Sequence, residues 1–179
     1  MRVIGGEFRS RVLKSLPSMD VRPTPDRLRE TLFNILAPRI EGAVFLDAYA
    51  GTGAVGIEAL SRGAARAIFI EKNRNAANVI YENLRTLGVV NRAEVAFGKA
   101  AQQIPKYPAD IIFLDPPYLL TLEYEVALNA ANANPQPLVI AQHSVHFDLK
   151  EHYGNLVRYR TLKQGENVLS FYRPGSGAS

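Results

Sequence analysis

The stretch that decides the fold is "VFLDAYAGTGAVGIEALSRGA", residues 44–64. It begins with a short β-rich run that ends at Asp47, continues through a loop that contains Gly51, Gly53 and Gly56, and then becomes a helical pattern. Glycine is needed where a backbone turns with positive φ, or where it lies against a ligand with no Cβ between them. The stretch therefore predicts a strand, a tight turn and a helix that begins beside a bound ligand.

Outward from this stretch, short β-rich runs alternate with helical patterns. The runs are "AIFIEK" (67–72), "AEVAFG" (93–98), "DIIFLD" (110–115) and "PLVIAQ" (137–142). Helical patterns over 53–62 and 74–87 end at Gly63 and Gly88, which are suitable residues to follow a helix. Strands joined by helices require right-handed crossovers and form a parallel sheet covered on both faces. We therefore predict a doubly wound α/β fold with a mostly parallel, seven-stranded sheet.

The two ends of the chain depart from this alternation. Thr24 and Pro25 predict the N-cap and first residue of a helix. One face of that helix is apolar, with Leu28, Leu32, Ile35 and Leu36. Near the C-terminus, two β-rich runs flank "KQGEN" (163–167) and predict an antiparallel hairpin. The predicted organisation is a basic N-terminal extension with its helix at 1–38, one α/β domain at 39–173 and a disordered tail at 174–179.

The composition excludes several kinds of protein and site. The 179 residues, 47% of them hydrophobic, suit one domain with its own core. Cysteine is absent, which excludes disulfides, thiolate catalysis and Cys-ligated zinc. The three histidines, His143, His146 and His152, are not spaced with carboxylates as metal ligands, so no metal is expected. No apolar run approaches the roughly 18 residues of a membrane span, so we expect a cytoplasmic protein with no membrane partner.

Positive charge is concentrated at the start of the chain. Residues 1–30 hold seven basic and four acidic side chains, whereas the remaining 149 hold fourteen and thirteen. A basic arm on a nearly neutral body is typical of a protein with an anionic partner such as nucleic acid. A solvated N-terminal surface explains the same charge equally well.

The glycine loop and two carboxylates indicate which ligand binds. Glu71 ends the second predicted strand, twenty residues after Gly51, where a carboxylate can accept both hydroxyls of a ribose. NAD and S-adenosylmethionine both fit this arrangement, and a tight turn with no ligand is a third interpretation. Asp47 lies just before the loop and can hold the cationic amine of adenosylmethionine, whereas a dinucleotide needs the helix N-terminus for its pyrophosphate. The order of acid and glycine favours adenosylmethionine.

A second motif, "FLDPPY" at residues 113–118, follows the buried strand at 110–115. By the topological rule for such sheets, it lies beside the ligand. The Asp115 carboxylate and the Pro116 carbonyl, on a backbone whose φ angles the prolines fix, can accept both N–H bonds of an exocyclic amine and draw its nitrogen toward sp³. Pro117 keeps this backbone rigid, and Tyr118 can stack on the base. The alternative is that the prolines only stop a strand.

Together these residues resemble a known family. "DPPY" with "DAYAGTGAVGIEALSRGA" is similar to the amino-methyltransferases, whose domain is Rossmann-like. The N-terminal "RVIGGEFRSRVL" with "RPTPDRLRETLFNIL" resembles one family among them, the bacterial 16S ribosomal RNA guanine-N2 methyltransferases of the RsmD type. The resemblance covers residues 2–173. It implies adenosylmethionine-dependent methylation of one guanine amine in small-subunit rRNA, within an assembling subunit, by a protein that we expect to be a monomer.

The resemblance also implies roles for particular residues. Amine binding and catalysis fall to Asp115, Pro116, Pro117 and Tyr118. Cofactor contacts fall to Asp47, Ala50, Gly51, Gly53, Glu71, Lys72, Lys99, Ala100 and Asp115. Because a stacked guanine must be splayed out of its helix, arginines are needed to hold the RNA phosphates. The candidates are Arg2, Arg9, Arg11, Arg22 and Arg29.

Three departures from the family pattern stand out. Ser10 replaces a usual glycine, Lys99 replaces the acid or polar residue that often holds the adenine amine, and Gln142 lies where a glutamate is frequent. With Lys99 in place, backbone contacts at 98–100 are the alternative for adenine.

Other functions stay open. A DNA adenine or cytosine amino-methyltransferase, or an enzyme acting on a small molecule, could share the glycine loop and "DPPY" without needing the N-terminal motifs. A non-catalytic RNA-binding assembly factor could share the fold, whereas an NAD dehydrogenase would lack a catalytic base.

Overall fold

The computed structural model describes residues 1–17, 24–117 and 120–175. Helices and strands alternate as predicted through most of the chain. The helices are α1 (Asp26–Ile40), α2 (Ala54–Ser61), α3 (Arg74–Leu87), α4 (Ala100–Gln103) and α5 (Thr121–Ala131). The strands are β1 (Val44–Asp47), β2 (Arg66–Glu71), β3 (Ala93–Phe97), β4 (Ile111–Leu114), β5 (Leu138–Ser144), β6 (His152–Tyr153), β7 (Leu156–Gln164) and β8 (Asn167–Pro174). No described helix is both long and apolar enough to cross a membrane.

All strands form one sheet in the order β3-β2-β1-β4-β5-β8-β7-β6. The pairs among β1 to β5 are parallel, and β5–β8, β8–β7 and β7–β6 are antiparallel. The doubly wound α/β fold and the C-terminal hairpin are therefore confirmed. The sheet has eight strands instead of seven, because the two-residue strand β6 is too short to give a periodic signal in the sequence.

The sheet is covered on both faces by helices. Phe45, Phe113 and Ile140 project to one face and pack against the apolar side of α1. Leu46, Leu114 and Ala141 project to the other face and pack with α5. A pleated strand points successive side chains to opposite faces, so alternate residues of each strand belong to different layers.

The helix α1 begins one residue later than predicted. Pro25 is the residue before it, with φ −54° and ψ 140°, because an extended ψ keeps this residue out of the helix. Thr24 makes no cap hydrogen bond, and its hydroxyl lies 3.5 Å from Asp115 Oδ2 instead.

The predicted boundary between residues 38 and 39 falls inside α1, which runs to Ile40. The predicted disordered tail also starts too early, since Pro174 ends β8 and the Gly175 amide donates to Asn155 O. Residues 176–179 lie outside the described residues.

The first 17 residues, which we call the arm, fold back on themselves and dock on α2. Arg2 and Val12 form an antiparallel bridge. The amides of Ile4 and Gly5 donate to the two carboxylate oxygens of Glu58, each at 2.9 Å. Glu58 is fully buried and also pairs with the equally buried Arg29, Nε to Oε1 at 3.6 Å. The arm is therefore attached to the domain through a buried carboxylate.

Apolar contacts and one unusual residue complete the arm. Val3, Phe8 and Leu13 are buried in a cluster with residues of α2 and α3. Ser10, which replaces a usual family glycine, has φ +70°. It takes the left-handed conformation that glycine adopts freely. The substitution therefore leaves the glycine-like turn in place.

Replacing Glu58 with alanine tests the attachment of the arm. The variant removes the buried ion partner of Arg29, leaves it only the exposed Asp26 at 3.3 Å, and deprives the two arm amides of their acceptor. Breaking a buried pair in this way typically costs about 3–5 kcal/mol. We expect a loss of that size in the free energy of unfolding by urea titration, and faster tryptic cleavage at the exposed Arg9 and Arg11.

The matched control is Glu82→Ala, which removes a half-exposed ion pair between the arm residue Lys14 and α3. Such surface pairs contribute about 0–1 kcal/mol. Equal stability and equal cleavage rates in the two variants would show that the buried carboxylate does not hold the arm.

Candidate active site

The glycine loop joins β1 to α2 in the predicted way. Gly51 and Gly53 have φ of +58° and +94°, and Gly53 is the residue before the helix. Gly56 is required for a different reason: a Cβ at this position would lie 2.4 Å from Phe69 Cε1, on β2. Glycines therefore make both the turn and the close packing of α2 on the sheet.

Asp47 ends β1 beneath this loop. Its side chain is buried, and Oδ2 accepts a hydrogen bond from the Gly56 amide at 3.0 Å. A carboxylate is favoured there because the amides at a helix N-terminus carry partial positive charge. Burial nevertheless raises the pKa of Asp47 to about 7, and the nearby Glu71 carboxylate adds to the rise. The carboxylate is thus positioned to gain from a cationic partner.

Glu71 ends β2 and connects two loops. Its Oε1 accepts from the Gly51 amide at 2.9 Å, and its Oε2 accepts from the Asn73 amide at 2.7 Å. Each carboxylate oxygen has a second lone pair that can accept another donor. The side chain is therefore fixed in orientation and still able to accept hydroxyl groups.

Asp115 follows β4 and lies on the same side of the sheet as Asp47. Burial raises its pKa to about 7, and the negative charge of Asp47 raises it further, whereas the Thr24 hydroxyl opposes the shift. Pro116 is buried and Pro117 exposed. Tyr118 lies outside the described residues. The first half of the "DPPY" motif is thus a carboxylate on a rigid backbone beside the glycine loop.

Most of the predicted site residues line two adjoining cavities. A cleft of about 890 Å³ is lined by Gly51, Glu71, Lys72, Lys99, Ala100, Asp115, Pro116 and Pro117. A smaller cavity of about 400 Å³ is lined by Asp47, Ala50, Gly51 and Asp115, together with Met1, Ser15 and Leu16 of the arm. Gly51 and Asp115 line both. Gly53 lines neither, because it is buried inside the turn.

The structure adds residues that the sequence did not identify. The Tyr49 hydroxyl donates to Glu123 Oε2 at 2.9 Å, which links the glycine loop to α5 across the cleft. Burial and the Glu123 carboxylate raise the pKa of Tyr49. Tyr124 also lines the cleft, together with Gln142, which stands out in the sequence as a departure from the family pattern. Tyr49 stands inside the quoted "DAYAG" loop and could have been considered, but Glu123 and Tyr124 lie far from it in sequence.

The five predicted phosphate-binding arginines fall into three groups. Arg2, Arg9 and Arg11 have exposed side chains on the arm, and Arg11 also donates to Thr86 O on α3. Arg22 lies outside the described residues. Arg29 was predicted wrongly: its side chain is fully buried, donates to Arg2 O at 2.6 Å and faces Glu58, so it cannot reach a phosphate.

Metal ligands were also sought in the structure. In the ranges 1–17, 24–117 and 120–175, no three His, Asp or Glu side chains form a group that could hold a metal ion.

Comparison with known proteins identifies the family. The family model described as "Conserved hypothetical protein 95" matches residues 1–173. "Ribosomal RNA small subunit methyltransferase D" of Haemophilus influenzae is 41% identical, covering 74% of this chain and 72% of that protein. "Putative rRNA methyltransferase YlbH" of Bacillus subtilis is 34% identical, covering 97% and 98%. The solved structure "Putative methyltransferase yhhF from Escherichia coli" is 36% identical over 98% of both chains, with a TM-score of 0.85. The chain therefore belongs to the Conserved hypothetical protein 95 family of RsmD-type rRNA methyltransferases, as its N-terminal and "DPPY" motifs indicated.

Proposed function

We propose that this protein transfers a methyl group from S-adenosylmethionine to the exocyclic N2 amine of a guanosine in small-subunit rRNA. The observation that carries the proposal is the position of Asp115 and Pro116 on the same cleft as Gly51 and Glu71. The names of the relatives agree with rRNA of the small subunit as the substrate. We propose further that the protein acts as a monomer on the assembling subunit.

The residues around the cleft suit the proposed cofactor. Glu71 can accept the ribose hydroxyls, and Asp47 can pair with the amino group of the methionine part. Residues 98–100 and Lys72 line the same cleft, and we propose that an adenine lies against them. When bound, adenosylmethionine supplies a methyl group activated by its sulfonium.

Asp115 and Pro116 would prepare the amine for attack. A guanine amine is a poor nucleophile because its lone pair is delocalised into the ring. Two acceptors held by the rigid backbone can bind both N–H groups and favour a pyramidal nitrogen whose lone pair faces the methyl group. The positive charge that develops on nitrogen would be stabilised by the Asp115 carboxylate, which could take up the proton that the nitrogen loses, with S-adenosylhomocysteine as the other product. Tyr118 is proposed as a stacking surface for the base.

The Asp115→Ala variant tests this mechanism. Loss of one preorganised group of this kind typically lowers turnover by about 10²–10³-fold. We expect such a fall in single-turnover formation of N2-methylguanosine, measured by mass spectrometry of digested small-subunit rRNA. Affinity for adenosylmethionine should change little, because the interaction is strongest in the transition state.

Asp148→Ala is the matched control, since it removes an exposed carboxylate that lies on neither cavity. It should keep near-normal turnover. If Asp115→Ala also kept near-normal turnover with an unchanged circular dichroism spectrum, "DPPY" would serve only to end a strand and the proposed mechanism would be wrong. If the wild-type protein methylated another base, the guanosine assignment would be wrong.

The raised pKa of Asp47 predicts how cofactor affinity depends on pH. Below pH 7 this carboxyl is largely protonated in the folded protein and cannot attract an ammonium group. Affinity for adenosylmethionine should therefore rise between pH 6 and pH 8, by at most about tenfold per pH unit below the pKa. Isothermal titration measures it directly.

The Asp47→Asn variant provides the comparison. It should bind more weakly at pH 8 and lose most of the pH dependence, since its amide does not titrate. A wild-type affinity that is flat from pH 6 to pH 8 would argue against an Asp47–ammonium pair.

The exposed arginines of the arm predict a salt effect. If Arg2, Arg9 and Arg11 neutralise phosphates, log affinity for single-stranded rRNA should fall with log salt by about 0.7 per contact. Replacing all three with alanine should flatten the slope by up to about 2 units. Filter binding between 50 and 300 mM salt gives the slopes.

The control is Arg66→Ala, which removes an exposed arginine already paired with Glu94 at the opposite end of the parallel strands. Its slope should match the wild type. An unchanged slope in the triple variant would show that the arm is a solvated surface with no part in RNA binding.

A further inference from the structure

Gln142 presents a buried polar group that the proposed chemistry does not use. It lies on β5, is 7% exposed and lines the large cleft. Within the part of the chain that the structure describes, its side-chain oxygen has no hydrogen-bond partner. An unsatisfied buried acceptor destabilises the folded protein. A donor supplied by a ligand in the cleft would remove this cost.

Gln142 is the neighbour of Asp115 across the sheet. The parallel register pairs Leu114 with Ala141, so Asp115 and Gln142 are the next residues along two adjacent strands. Adjacent strands lie about 4.8 Å apart. Phe113 and Ile140, two residues earlier, both pack into the cluster on the α1 face. By the period of two, Asp115 and Gln142 leave their strands on that same face.

The backbone of Gln142 is held firmly. The Tyr124 hydroxyl donates to its carbonyl at 2.5 Å, and its strand pairs with Leu169 of β8 on the side away from β4. Only the side-chain torsions are free to adjust, and rotation of the amide about its last bond exchanges the oxygen and nitrogen positions. A fixed backbone with an adjustable acceptor suits recognition of a planar base.

The order of acceptors matches the order of donors on guanine. In guanine the N1–H is next to the N2 amine, whereas in adenine N1 carries no hydrogen and accepts. We propose that the Gln142 side-chain oxygen accepts the N1–H of the target guanine while Asp115 accepts an N2–H, so that Gln142 positions the base. This inference rests on the proposed function, because the base must already present its amine to Asp115.

The amide can adapt to the base, because its NH2 could turn toward a base whose N1 carries a lone pair and donate to it. A carboxylate at this position could only accept. It would therefore discriminate against a base that lacks N1–H, because the buried polar group would stay unsatisfied. An apolar residue at this position would pair with neither kind of base.

The test combines a change in the protein with a change in the base. An RNA fragment that contains the methylated position is made with guanosine or with 2-aminopurine riboside there; the latter keeps the N2 amine and lacks N1–H. Gln142→Met removes the acceptor at similar volume, and Gln142→Glu retains one. On guanosine RNA, Gln142→Met should lower kcat/KM roughly 10- to 100-fold, whereas Gln142→Glu should stay within a few-fold of wild type. With 2-aminopurine, the wild type should lose little at this contact, since its amide can turn and donate to N1, whereas Gln142→Glu should lose roughly 10- to 100-fold because a carboxylate can only accept.

Gln136→Met, at an exposed turn, is the matched control and should behave as wild type. Melting temperature and affinity for S-adenosylhomocysteine are measured for every variant. A loss in Gln142→Glu on guanosine RNA as large as that of Gln142→Met would indicate a general structural role and overturn the inference. So would equal rates of Gln142→Glu on guanosine and 2-aminopurine. In both cases the proposed function would stand; it would fail only if the wild type formed no N2-methylguanosine.

Discussion

The parallel pairing of β1 with β4 is the constraint on which the site depends. It places Asp115, the residue after β4, beside the end of β1, so Asp47 and Asp115 share one corner at the carboxyl ends of the strands. The sheet order reverses at this point, since β2 and β3 continue in one direction and β5 in the other. Two helices cannot cover the gap between such neighbours completely, and a cavity results. Both carboxyls bear raised pKa values for the same reason, which is burial near another negative charge.

A second buried carboxylate, Glu58, connects this corner to the arm. The arm amides and Arg29 share its oxygens, so the start of the chain is placed by the first helix after the glycine loop. Met1, Ser15 and Leu16 thereby reach the small cavity, while Arg9 and Arg11 stay exposed. One helix therefore presents the glycine loop at its N-terminus and supports the proposed RNA-binding arm along its side.

The sequence predicted the elements whose signals are local. The strand, glycine turn and helix at 44–64 could be recognised because residue type and conformation are directly linked there, and the "KQGEN" turn for the same reason. Arg29 could not be placed correctly, because a helical arginine surrounded by charged residues is usually solvated and its buried partner is 29 positions away. Gln142 was noted only as an unusual residue, since its relation to Asp115 depends on strand register. The sequence did not predict β6, because two residues are too few to show an alternating apolar pattern.

Ser10 has a consequence for how the family can vary. Its left-handed backbone costs about 1–2 kcal/mol relative to an ordinary conformation, a cost that glycine would avoid. The turn forms in spite of this cost, so the contacts of the arm with α2 and α3 stabilise the arm by more than the Ser10 conformation costs. These contacts give the tip of the arm mutational freedom, because residues there can change while the base of the arm keeps its position on α2 and α3.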